Sequence, residues 1–451
     1  MGIDISIGWL TIIMFGSLIV LLMAGLPLAF VTGGLACVFL FVLGDAQALN
    51  IVPSRIFPLM TNYQLSAIPL FIFMAAMLER AGIINEMFDV IYKVLGALKG
   101  GLASATIIAS TILAAMVGVI GAAVVTMGII ALPAMLRRKY DPKIAMGSIM
   151  AGGTLGILIP PSILAIIYAV VAEQSVGELF IGAVFPGLLL SGMYILYVTV
   201  RSYINPDLGP PIPVEERVSN REKVALLSRM SAPISLIVIV LGVIFTGVAT
   251  PVEAAGIGTF GAFIVAAIHR KLDWQTVREA CLTTLKASAM VIWIMFGATI
   301  FVGLYVLEGG QQFVQELLRG TGLGPWGILI VMQIVLIILG MFLDWVGILL
   351  LCVPIFVPII KALGAAAFGF DSNEDLVLWF GVLYLVNMQM SFLSPPFGYA
   401  LFYLRGVAPD WIPMGDIFRS ALPFLLIQVI GLALCMIFPE IITALPRAVY
   451  G

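Results

Sequence analysis

The strongest constraint in this sequence is a series of apolar stretches long enough to cross a bilayer. A helix rises 1.5 Å per residue, so about 20 apolar residues span ~30 Å of hydrocarbon. Ten stretches meet or approach that length, at approximately 8–24, 28–43, 66–84, 144–170, 178–200, 231–248, 252–268, 285–307, 377–404 and 417–439. Two more, 101–136 and 325–360, are too long for one crossing and barely long enough for two. They read as helical hairpins. The 451 residues are 62% hydrophobic and only 10% charged, far from the quarter or so of charged residues in soluble domains. The expected fold class is therefore an all-α polytopic membrane protein lying in the lipid bilayer.

Composition also excludes functions. Net charge is −2 with no long basic run, so no nucleic-acid partner is expected. One histidine, His269, leaves little material for a metal centre or a His-dependent hydrolase, and no paired catalytic acids appear, so the chain is not read as an enzyme. Cys37, Cys281, Cys352 and Cys435 sit in apolar stretches without a CxxC pair and read as small buried hydrophobes. Met1 to Gly8 carries no Lys or Arg, unlike a cleaved secretory signal, so the first apolar segment is expected to be retained.

Lys and Arg cluster at 93–143, 201–229, 270–278 and 405, while the intervening connections are poor in them. By the positive-inside rule these clusters are cytoplasmic and both termini periplasmic, if the protein is Gram-negative.

The order of segments occurs twice. Each half holds three crossings, a hairpin, a Pro-interrupted crossing and a final crossing, with the polar stretch 201–230 between halves 1–200 and 231–451. Leu158-Ile-Pro160-Pro161 with Tyr168 answers Leu393-Ser-Pro395-Pro396 with Tyr403, and Phe185-Pro186 answers Leu422-Pro423. Five crossings per half is an odd number, so the second copy is expected upside down: an inverted repeat, whose paired interrupted helices point to a transport site near the midplane. The midpoint of the first hairpin, 116–126, is uncharged and suits a re-entrant tip; two ordinary crossings would give the same topology.

Proline lacks an amide hydrogen and obstructs the carbonyl four residues back, so each Pro-Pro pair frees backbone oxygens that need another partner. Gly153, Thr154 and Gly156 precede the first pair and Ser162 follows it; Asn387, Gln389, Ser391 and Ser394 precede the second. Neutral oxygens suit a hard cation, and half-helix N-termini favour an anion, which together fit sodium and a carboxylate substrate. Gly118, Gly121 and Thr126 at the first hairpin tip would complete one cage, and Asp344 with Gly347 the other. Asp344 reads either as a functional acid in an apolar hairpin or as an N-cap of its second arm. Glu253, behind Thr250-Pro251, reads as a structural first-turn acid.

These residues resemble the large membrane subunit of the tripartite ATP-independent periplasmic (TRAP) transporters over nearly the entire chain. The most specific stretches are Ser66–Met74, Gly152–Ser162, Phe180–Gly187, Thr250–Ala255 and Gly340–Asp344. The resemblance implies an elevator-type transporter with two re-entrant hairpins and two Pro-Pro-broken helices in a mobile core. It further implies a bacterial inner membrane location, a small four-helix membrane subunit, and a soluble periplasmic binding protein that delivers an organic acid such as a C4-dicarboxylate. Transported Na⁺, with no organic cofactor, would bind through Gly118, Gly153, Thr154 and Gly156 at the first site, and Asp344, Gly347, Ser391 and Ser394 at the second. Gly121, Thr126, Ser162, Asn387 and Gln389 would face the substrate. Many relatives carry Gly-Ser-Ser at the first tip; here Gly121 is followed by Ala122 and Ala123, which removes two hydroxyls. A stand-alone sodium/carboxylate symporter of similar build is the alternative.

Overall fold

A computed structural model describes residues 5–118, 120–213, 217–396 and 398–450. Val119 at the first hairpin tip, Phe397 after the second Pro-Pro pair and Met1 to Asp4 lie outside the described residues. Those described form helices joined by short connections, without a strand among them. Among the described residues seven helices are long and apolar enough to cross a membrane, and up to nine spans result if each bent pair counts as one.

The apolar stretches fold as helices close to their sequence limits. Ile7–Met23 and Leu28–Ala48 come first. The expected 66–84 crossing is Ala67–Arg80, and the sequence reading missed what precedes it: a helix Ile51–Met60 and a 3-10 turn Tyr63–Ser66, with the chain bending by 61° between the segments Ala46–Met60 and Tyr63–Arg80. Asn62 makes the bend by accepting from the Gln64 amide at 2.9 Å. Amphipathic helices follow in both halves, Ile83–Leu95 and Gly310–Gly320, each starting from a glycine with positive φ, Gly82 or Gly309. On the first, Asn85, Asp89 and Lys93 form the exposed stripe while Ile84, Met87, Phe88 and Ile91 are buried, the 3.6-residue period of a helix lying on an apolar surface.

The two long apolar segments are hairpins: Gly101–Val117 with Ile120–Arg137, and Pro325–Gly340 with Trp345–Leu363. A broken helix follows each. The first runs Pro142–Thr154, a 3-10 turn Leu155–Ile157, then Ile163–Ala172; the second runs Asn373–Leu393, then Tyr399–Arg405. Val176–Ile204 and Met414–Ile437 complete the halves, and a final helix, Glu440–Tyr450, was not foreseen. It is pinned by Arg447 on Asp375 at 2.8 Å and by the Tyr450 hydroxyl on the Ile244 carbonyl at 3.0 Å.

Asn373–Leu393 is the centre of the molecule, with its membrane-length window wholly buried. Trp379 donates to the Cys435 carbonyl at 2.9 Å, Tyr168 donates to the Val377 carbonyl at 3.0 Å, and the rings of Tyr168 and Tyr384 stack 5.8 Å apart. Outside this core the 34-residue helix Trp274–Leu307, about 51 Å long, packs on Leu28–Ala48. Gly297 permits that approach, since a Cβ there would stand 2.5 Å from the Ala29 carbonyl oxygen. Thr250 and Glu253 form a capping box, so Glu253 has the structural role expected of it. Cys281 differs from expectation: it is exposed on the long helix, among outward-facing apolar side chains such as Leu282 and Leu285.

The described part of the inter-half segment packs on the first hairpin. Gly100 donates its amide to the Gly209 carbonyl, Ile212 to Gly96 and Asp141 to Leu208, at 2.8, 2.8 and 3.1 Å. The segment thereby straps the base of the first hairpin before entering a capped helix, Asn220–Arg229.

Candidate ion and substrate site

The first broken helix starts under clear local control. Asp141 caps it, accepting from the amides of Lys143 and Ile144, with Pro142 at the first helical position. It ends where Gly152, Gly153 and Gly156 lower helix propensity ahead of two prolines. Ser162 restarts the chain as a helix, accepting from the Ala165 amide at 3.3 Å and donating to the Ile157 carbonyl at 2.5 Å. Both Pro-Pro bonds, 160–161 and 395–396, are cis.

The first hairpin grips this break through close backbone approaches. Gly118 has φ +60°, and a Cβ on it would lie 2.9 Å from the Pro161 carbonyl oxygen. One on Gly153 would run into the Val124 side chain and stand 3.2 Å from the Val124 amide nitrogen; one on Gly152 would be 2.8 Å from Ser110. Thr154 donates to the Ala151 carbonyl at 2.9 Å and receives the Gln428 amide at 3.4 Å. Gly156 lies buried in the 3-10 turn.

Two residues assigned to this tip point elsewhere. Thr126 donates to Glu79 at 3.4 Å, on the third crossing, and Gly121 lies under the Tyr403 ring, 3.1–3.4 Å from a Cβ position. Residues 121 and 126 are about 140° apart round a helix, so one tip cannot direct both at the same break.

The second site is built from side chains. Asn387 donates to the Gln333 carbonyl at 2.9 Å and to its side-chain oxygen at 2.6 Å, fastening the first arm of the second hairpin to the broken helix. Ser391 fills a notch made by Gly340 and lies 3.5 Å from the carbonyls of Leu336 and Asn387. Ser394 donates to Met390 at 2.8 Å. Asp344 does cap the second arm, accepting from the Val346 amide at 3.3 Å. Gly347 faces away, against Leu28. Gln389 is fully buried, with neither end of its amide hydrogen-bonded among the described residues.

The structure thus groups Gly118, Gly153, Thr154, Gly156 and Ser162 at one break, and Asn387, Ser391 and Ser394 with Gly340 at the other. Sequence reasoning missed Gln333 and Gln428. Each was visible as a lone amide in the middle of an apolar span, a costly placement that calls for a role. It also missed an open cavity of about 600 Å³ beside the second tip. Asp344, Tyr399 and Tyr403 line it on one side, and Leu28, Phe30 and Trp293 on the other.

The model of the tripartite ATP-independent periplasmic transporter family, DctM component, matches residues 15–441. The chain belongs to this family. The C4-dicarboxylate TRAP transporter large permease of Pseudomonas aeruginosa is 33% identical over 417 residues, covering 92% of this chain and 93% of the relative. The sialic acid TRAP transporter large permease of Vibrio cholerae is 29% identical, covering 96% and 97%. The ectoine/5-hydroxyectoine TRAP transporter large permease of Ruegeria pomeroyi is likewise 29% identical, covering 95% and 96%. Among solved structures, the YdaH transporter of Alcanivorax borkumensis aligns with a TM-score of 0.64 at 15% identity, covering 93% of this chain and 97% of that one. That likeness is one of fold. This TRAP permease is therefore a multi-pass membrane protein of a transporter family whose relatives carry chemically different substrates.

Proposed function

We propose that this TRAP permease imports an organic acid, driven by sodium, after a periplasmic binding protein delivers the acid to its outer face. A small four-helix membrane subunit completes the assembly in the bacterial inner membrane, with both termini of this chain periplasmic. The observation carrying this reading is the seating of a hairpin on each Pro-Pro-broken helix, which brings backbone and hydroxyl oxygens together inside an apolar molecule. Oxygens freed from helical pairing there need a ligand or neighbouring protein, and a small hard cation suits them. At the first break the donors are Thr154 and the backbone around Gly118, Gly153 and Gly156. At the second they are Ser391, Ser394 and the tip at Asp344, with Gly347 only as tip backbone. Among the substrate-facing candidates, Gly121 borders the cavity through Tyr403, whereas Ser162, Asn387 and Gln389 support it from within the core.

The inverted repeat draws support from matching contacts across halves. Gly147 and Val382 each lie thirteen residues before the first proline of their break, and each packs on the final helix of the other half: Gly147 against Ser420 and Phe424, Val382 against Gly182. Hairpins and broken helices would move as one body, an elevator, past the scaffold of Leu28–Ala48 and Trp274–Leu307. Each sodium entering gains about 2.3 kcal/mol per 100 mV of membrane potential. Proteoliposome uptake with this chain alone, then with its two partners, tests the proposal. Sodium-dependent uptake only with both partners supports it; robust solo uptake would instead identify a stand-alone symporter.

A further inference from the structure

The cavity beside the second hairpin tip has an unusual chemical inventory for a site that receives an anion. Among the described residues its lining includes no Lys, Arg or His. Its polar side-chain groups are the Asp344 carboxylate, the Tyr399 and Tyr403 hydroxyls and the Trp293 indole N–H; the rest is aliphatic or aromatic, including Phe30 and Phe342. Neither tyrosine hydroxyl is hydrogen-bonded among the described residues. Tyr403 is 39% exposed, although its ring lies on Gly121 at the first hairpin tip. One phenol therefore borders both tips, next to the place where Ala122 and Ala123 offer no hydroxyl.

We infer that Tyr399 and Tyr403 hold the single carboxylate of a monoanionic acid with an apolar body, and that this cavity discriminates against dicarboxylates. Two neighbouring phenols, at i and i+4 of one short helix, can both donate to one carboxylate, and hydrogen bonds to an ionised acceptor are the strong kind. A sodium ion near Asp344 offsets the like charge. A second carboxylate on the substrate would lie against the apolar side chains of Phe30, Phe342 or Leu28, which carry no donor, and a charge left unpaired against apolar walls is penalised. The same walls favour an aliphatic or aromatic body, and about 600 Å³ is ample for a small acid. This inference rests on the organic-acid reading above and narrows its substrate class.

The test is equilibrium binding of hexanoate, phenylacetate and succinate to the full chain in lipid nanodiscs, in sodium chloride and in choline chloride. In sodium, hexanoate and phenylacetate bind at least roughly tenfold more tightly than succinate, because only succinate strands a charge. Tyr403→Phe and Tyr399→Phe keep the ring packing and each weaken hexanoate binding about fivefold or more by losing one charge-assisted hydrogen bond. Succinate binding as tightly as hexanoate, or wild-type hexanoate affinity in both Phe variants, overturns the inference. Sodium-induced thermal stabilisation with no binding of either monocarboxylate also overturns it and leaves the ion sites standing. Tight, Tyr-dependent hexanoate binding that is equal in choline upholds the cavity assignment and defeats sodium coupling instead.

Discussion

The two hairpin junctions solve one packing problem with opposite chemistries. At the first, glycines let backbone lie on backbone: Gly118 against Pro161, Gly153 against Val124. At the second, side chains fill the space: Gln333 with Asn387, and Ser391 in the notch at Gly340. The place seven residues before the first proline is Gly153 in one half and the buried Met388 in the other. A cation at the first junction would depend mainly on main-chain oxygens, whereas hydroxyls and a carboxylate stand ready at the second. The two junctions thus differ in the groups they present while the order of elements is the same.

The largest expected effect comes from closing the tightest approach at the first junction. Gly153→Val drives two methyl groups into Val124 and is expected to cost roughly 3 kcal/mol and abolish uptake, through overpacking. Thermal unfolding and uptake measure both, and wild-type uptake would count against the first junction. Next is Asn387→Leu, which strands the Gln333 side chain and should cost about 2 kcal/mol. The double variant with Gln333→Leu should recover most of that loss, because removing both partners leaves no orphaned polar group. A double variant as unstable as the sum of its singles would show that the pair is not acting as a bracket.

Asp344→Asn separates capping from ion binding. Asparagine caps as well as aspartate, so the expected stability change is below about 0.5 kcal/mol while the sodium concentration for half-maximal uptake rises several-fold. An unmoved sodium curve would reduce Asp344 to a cap. The smallest functional effect is expected for Thr126→Val. Its hydroxyl reaches Glu79 at 3.4 Å, so the loss is about 0.5 kcal/mol with sodium activation unaltered. A shifted sodium curve would return Thr126 to the first cage.

Legibility in the sequence followed physical cause. Hairpins and breaks were readable because hydrophobic length and paired prolines act locally, and Glu253 was readable because a capping box is written within four residues. The Ile51–Met60 helix was not, since Pro53, Ser54, Arg55 and Pro58 disguise it as a loop and packing on the long helix, distant in sequence, helps hold it. Side-chain direction was the other limit. Thr126 and Gly347 were assigned by distance along the chain, yet one turn of helix carried them to Glu79 and Leu28. Tyr399 and Tyr403 were not singled out as site residues, because the cavity they line is shared with Leu28, Phe30 and Trp293, which lie far away in the chain.

Binding of radioactive sodium to the purified full chain in nanodiscs tests most directly whether these junctions are cation cradles. The account predicts saturable binding that falls by one site on Gly118→Ala and by another on the paired change Asp344→Asn and Ser394→Ala, with the variants still folded. Absence of saturable binding, or full stoichiometry in both sets of variants, would contradict it.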